Sequence, residues 1–80
     1  MNPKEIEKQI KKNLPDCIVT VEGEDGRHFS ATVISAEFIG KTKVQQQQLI
    51  YKILAAEIRS GDIHALSLKT LLPENAQNHG

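Results

Sequence analysis

The sequence predicts an α+β domain with element order α-β-β-(α)-α-β, a three-stranded mixed sheet with helices on one face. Three observations lead there. Two β-branched, alternating runs, Cys17–Glu22 and His28–Ser35, are separated only by Gly23-Glu24-Asp25-Gly26, the spacing of a hairpin. A long helical stretch then lies between Ser35 and Asp62, far more than the dozen residues a parallel crossover needs. A further alternating run, Ile63–Thr70, follows it, and a right-handed crossover sets that run beside the second strand and parallel to it.

The first helix starts at Asn2-Pro3, a capping oxygen followed by a residue whose φ is already helical. Ile6, Ile10 and Leu14 give it one apolar edge, and Pro15-Asp16 stops it. In the first strand Cys17, Val19 and Val21 share a face. Phe29, Ala31 and Val33 point inward from the second. Ala36 to Ile39 reads as a single turn broken at Gly40. Thr42 then caps a helix that runs to about Ser60, with Gly61 as its stop. Gln45, Lys52 and Arg59 mark its wet line. Val44, Tyr51, Leu54 and Ile58 are its expected main apolar stripe, with Leu49, Ile53 and Ala56 as a second. Residues 1–73 form one domain and 74–80 a flexible polar tail, where His79 carries no weight.

Composition narrows the function. Eighty residues make one thin core with little room for a deep active site. Ten basic and ten acidic side chains cancel, against strong non-specific nucleic-acid binding. Cys17 is the only cysteine, which excludes an intramolecular disulfide and a cysteine-rich metal motif. Neither a signal-like leader nor a run long enough to span a bilayer is present, so a soluble, cytoplasmic chain is expected.

Catalytic machinery is not expected. Gly40-Lys41-Thr42 resembles the end of a phosphate loop, but Ser35 stands where that motif needs its first glycine. Cys17 opens a strand in an apolar context, where a free cysteine is usually a small buried hydrophobe. Glu22, Glu24 and Asp25 lie in or beside an exposed turn, as solvating charges do. The outward face of the sheet (Thr20, Glu22, Ser30, Thr32, Ser67, Lys69) lacks the aromatic residues an RNA-reading sheet needs.

Histidines are the remaining candidates. Parallel strands two and three would bring His28 and His64 to one end of the sheet, roughly 4.8 Å apart or a little more. Two converging neutral imidazoles are half of a tetrahedral metal site. Parity opposes this: His28 falls opposite Phe29, on the solvent face, whereas His64 shares parity with Leu66 and Leu68. The rings meet only if His28 belongs to the turn. From spacing alone, these are two ordinary surface or core-edge histidines.

The residues from Gly26 to Pro73 resemble the BolA-like family. The matching segments are Gly-Arg-His-Phe at 26–29, Val-Ile-Ser at 33–35, Phe-Ile-Gly-Lys-Thr at 38–42, Val-Gln at 44–45, Leu-Ile-Tyr at 49–51, Ile-His-Ala-Leu-Ser-Leu-Lys-Thr at 63–70, and Pro73. The block at 63–70 is the most specific. The resemblance implies a fold similar to the type II KH domain without its G-x-x-G loop; here that position reads Gly40-Lys41-Thr42-Lys43.

It also implies a non-enzymatic adaptor that pairs with a monothiol glutaredoxin, with a [2Fe–2S] cluster shared between them and glutathione. His64 and His28 would be this chain's ligands, in the mixed nitrogen and sulfur ligation that Rieske centres also use. Lys69, Phe38, Lys41 and the surrounding 36–43 turn would meet the glutaredoxin. The alternative implied is a DNA-binding transcriptional regulator, with a part in stress response, using Lys41, Thr42 and Lys43 within the Gly40–Gln48 region. Many members have Gln-Arg-His-Arg where this chain has Gln45 to Gln48, so two arginines able to contact phosphate or guanine are missing. A tryptophan common after Thr-x-x-Pro is absent as well. A third possibility is an interaction domain with neither cluster nor DNA. Monomer or weak homodimer is expected.

Overall fold

A computed structural model describes residues 1–74. The chain forms α1 (Pro3–Asn13), β1 (Ile18–Glu22), β2 (His28–Ile34), a 3-10 turn (Ala36–Phe38), α2 (Lys43–Ile53), α3 (Ala55–Ser60) and β3 (Ala65–Leu71). The sheet order is β1-β2-β3, with β1 antiparallel and β3 parallel to the central β2. This is the expected α+β arrangement. The tail expected at 74–80 falls, beyond Glu74, outside the described residues, as does His79.

Local chemistry sets the boundaries. At the head of α1 the Asn2 side chain accepts the Glu5 N–H, and the Glu5 carboxylate accepts the Asn2 N–H. Thr42 and Gln45 repeat this reciprocal cap at the head of α2. In both strands of the hairpin every second residue is buried: Val19 and Val21, then Phe29, Ala31 and Val33. Ile6 and Ile10 of α1 and its C-cap Leu14 close over them with Phe38, Ile50, Leu54 and Ile63. Each fully buried isoleucine here contributes about 1.5–3 kcal/mol against leaving it in water.

The long helix departs from expectation in two ways. It breaks at Leu54, whose φ of −99° and ψ of 14° lie in the bridge region, so α2 and α3 are separate helices. Neither glycine nor proline marks that break. The expected main stripe also faces outward for the most part: Val44 is 62% exposed, Tyr51 40% and Ile58 37%, and Leu54 alone is buried. The inward line is Gln46, Ile50 and Leu54, flanked by half-buried Leu49 and Ile53, while Ala56 is exposed.

Gln46 accounts for the rotation. Its Nε2 donates to the carbonyls of Lys41 at 2.9 Å and Phe38 at 3.3 Å, and its Oε1 accepts from the Thr70 hydroxyl at 2.8 Å. A glutamine so satisfied can occupy a core position that hydropathy assigns to solvent.

Candidate metal-ligand pair

The candidate site lies where the 23–27 turn meets the start of β3. Gly23 opens that turn because nothing larger fits. A Cβ there would stand 2.6 Å from the Phe29 ring and 2.8 Å from the His28 carbonyl oxygen. Gly26 supplies a φ of 73°, in the left-handed region that glycine adopts without cost. Between them, Asp25 accepts the backbone N–H groups of Arg27 (2.9 Å) and His28 (2.8 Å) on Oδ1. Its Oδ2 lies 2.5 Å from His28 Nδ1. The His28 N–H, then the Arg27 N–H and the His28 ring, hold the Asp25 carboxyl well below the usual carboxylate range.

One carbonyl joins this turn to the other side of the site. Arg27 O accepts the N–H of His64 at 2.8 Å and that of Ala65 at 3.2 Å. Below it, the register pairs His28 with Ala65 and Phe29 with Leu66. The rings of His28 and His64 stand edge to face, with centroids 5.3 Å apart and planes at 76°. Both residues are exposed.

The two histidines therefore meet, but not by the route expected. His28 is a regular strand residue, the first of β2, and faces solvent. It is His64 that leaves the strand. β3 starts at Ala65 rather than Ile63, because Ile63 is tied back by its N–H to Glu57 O and is buried in the core. His64, next in line, turns outward, and the parity it was assigned with Leu66 does not hold.

Two exposed imidazoles side by side could supply half of a metal site. Among the described residues no group of three or more His, Cys, Asp or Glu could hold a metal, so these residues would not complete a coordination sphere by themselves. Cys17 is not one of them. It precedes Ile18, which pairs with Ile34 at the far end of β2, six residues or ~20 Å from His28. Burial pushes its thiol pKa up, against the thiolate a metal needs.

The remaining candidates are spread over two regions. Lys69 is exposed on the outward face of β3, beside Thr32. Phe38 is fully buried in the core, so its expected contact with a partner is corrected: the turn can meet another protein only through the residues around it. Lys41 Nζ donates to Glu37 O at 2.9 Å, and Lys43 Nζ donates to Thr70 O. Thr42 Oγ1 is taken up by the Gln45 N–H of the helix cap. Asp25, expected to be a solvating charge of the turn, is instead bonded to the turn's own N–H groups and to the His28 ring. Its signal was present in the sequence: an Asp two and three residues before Arg27 and His28, inside a glycine-bounded turn, is placed to accept their N–H groups.

The family model described as "BolA-like protein" matches residues 6–75. The structure of a BolA protein homologue from Coxiella burnetii superposes with a TM-score of 0.82 at 37% identity, covering 98% of this chain and 99% of that one. The "DNA-binding transcriptional regulator BolA" of Haemophilus influenzae is 34% identical over 91% of this chain and 81% of its own length. The "Acid stress protein IbaG" of Escherichia coli K12 is 34% identical over 91% and 86% respectively.

Proposed function

This chain belongs to the BolA-like protein family, and we propose that within it the chain acts as a non-enzymatic adaptor, binding or passing on a [2Fe–2S] cluster together with a monothiol glutaredoxin. The observation that carries this is the His28–His64 pair, two adjacent exposed imidazoles with ring centroids 5.3 Å apart and, among the described residues, no group of three that could hold a metal. A closed structural site would supply its own full set. A half-set on an open rim suits a centre shared between two proteins, the partner contributing its cysteine and glutathione thiolates. The exposed Lys69 and the polar residues of the 36–43 turn would complete the contact.

The apoprotein mixed with cluster-loaded monothiol glutaredoxin should change the visible spectrum of the cluster. His64→Ala should abolish that change, and the same complex and spectrum with the variant would refute the ligand assignment.

A second reading, a DNA-binding regulator in a stress response, is favoured by the names of the Haemophilus influenzae and Escherichia coli relatives. It would use Lys41, Thr42 and Lys43. Both ammonium groups already meet backbone carbonyls, which places this reading second. It requires duplex binding that weakens steeply as salt rises, through counterion release. A flat salt response would exclude it.

A further inference from the structure

We propose that Asp25 is a positioning residue that fixes His28 in one tautomer and presents its Nε2 as the ligating atom, leaving His64 as the adjustable ligand. The inference rests on the cluster-binding reading above but draws on different atoms. An ionised carboxylate can only accept. Asp25 Oδ2, 2.5 Å from His28 Nδ1, therefore requires the ring proton to sit on Nδ1. The lone pair of the neutral ring is then on Nε2, the nitrogen remote from the turn.

The carboxylate cannot swing away to relax this choice. Its other oxygen is held by the N–H groups of Arg27 and His28, 2.9 and 2.8 Å away. A carboxylate held against the far nitrogen of a ligating imidazole fixes its ring orientation, as in carboxylate–histidine–metal triads. The two histidines thus differ. Among the described residues the His64 ring has no hydrogen-bond partner and stands in a T-shaped contact with the His28 ring. A donor of fixed tautomer stands beside one able to adjust its nitrogen and orientation. Such asymmetry suits a cluster that must be held and also released.

The decisive variant is Asp25→Asn. Its Oδ1 can still accept the two backbone N–H groups and keep the turn. Its NH2 would face His28 Nδ1 as a donor, favouring the opposite tautomer with the proton on Nε2. Long-range proton–nitrogen NMR of the 15N-labelled apoprotein at about pH 8, where an ordinary imidazole is neutral, reads this directly. Wild type should show a protonated Nδ1 and a bare Nε2 on His28. Asp25→Asn should reverse them, and Asp25→Ala should give a mixture, with backbone resonances outside residues 23–28 unchanged in the Asn variant. A bare Nδ1 in wild type, or the same tautomer in wild type and Asp25→Asn, would overturn the proposal.

A second measurement uses the cluster-loaded complex with monothiol glutaredoxin. Asp25→Asn should weaken cluster retention about 10–100-fold and alter one of two nitrogen hyperfine couplings in pulsed EPR of the reduced cluster. Unaltered couplings and retention would also overturn it. If wild type forms no cluster complex at all, the functional reading fails, while the NMR result still decides the role of Asp25.

Discussion

Asp25 and Gly23 show how much of the site depends on single residues in a four-residue turn. The Asp25 carboxyl is held below its usual range by the N–H groups it accepts, so the folded state favours its charged form. The sign follows by linkage. The contribution is full above the unfolded carboxylate value of about 3.9 and is lost progressively as pH falls from there toward the folded value. The urea midpoints of wild type and Asp25→Asn should therefore differ by a constant amount above pH 5, and the difference should begin to shrink as pH falls below 4. Gly23 acts by size instead. Gly23→Ala forces a Cβ against the Phe29 ring and the His28 carbonyl, an overpacking that should cost about 1–3 kcal/mol in urea unfolding. It should also displace the His28 backbone resonances. The 23–26 turn was legible in the sequence as a turn; the use made of its aspartate was not. Four polar and glycine residues announce that the chain reverses, whereas the direction of a carboxylate depends on the φ of Gly26 and the course of the next two residues.

At the scale of elements, α2 is the segment where hydropathy misleads. Its pattern offers Val44, Tyr51, Leu54 and Ile58 as a buried face, and the structure buries Gln46, Ile50 and Leu54. A polar residue bonded inside the core through both its amide nitrogen and its amide oxygen is indistinguishable in sequence from one that faces water. Two substitutions separate the alternatives. Ile50→Ala should cost about 2–5 kcal/mol by chemical denaturation, whereas Val44→Ser should stay within about 0.5 kcal/mol. Gln46→Leu should destabilise despite being more apolar, since the Lys41 carbonyl and the Thr70 hydroxyl lose their partner at once, at about 1–3 kcal/mol for each one left unsatisfied, while the Phe38 carbonyl keeps the Lys41 N–H. The histidine that strand parity misplaced belongs to the same scale. An alternation rule holds only inside a strand, and Ile63, anchored to Glu57 O, delays β3 by two residues. The short 63–70 run contains no residue that marks this delay.

For the molecule as a whole, the architecture was open to reading. The hairpin, the long crossover and the parallel return of the last strand each leave a separate mark in the sequence, and all agree. Burial is confined to one side of the sheet, because α1 and α2 supply apolar cover for a single face. β2 is bordered on both sides, whereas β1 and β3 each leave one edge unpaired within the sheet. Amide hydrogen exchange should follow that order. The slowest amides should lie in β2, near the global unfolding limit, and those of β1 and β3 that face away from β2 should exchange faster. Uniform protection across the three strands would contradict this order. The helices stand away from the open face, so a bulky companion can approach the rim from that side without disturbing the core.

The separation of the two imidazoles is governed by a main-chain oxygen, Arg27 O, which takes the N–H of both His64 and Ala65. No side-chain substitution can delete a peptide carbonyl. The main-chain spacing between positions 28 and 64 is thus set independently of the side chains that stand there. The chemistry of the rim is free to drift while its gauge stays put.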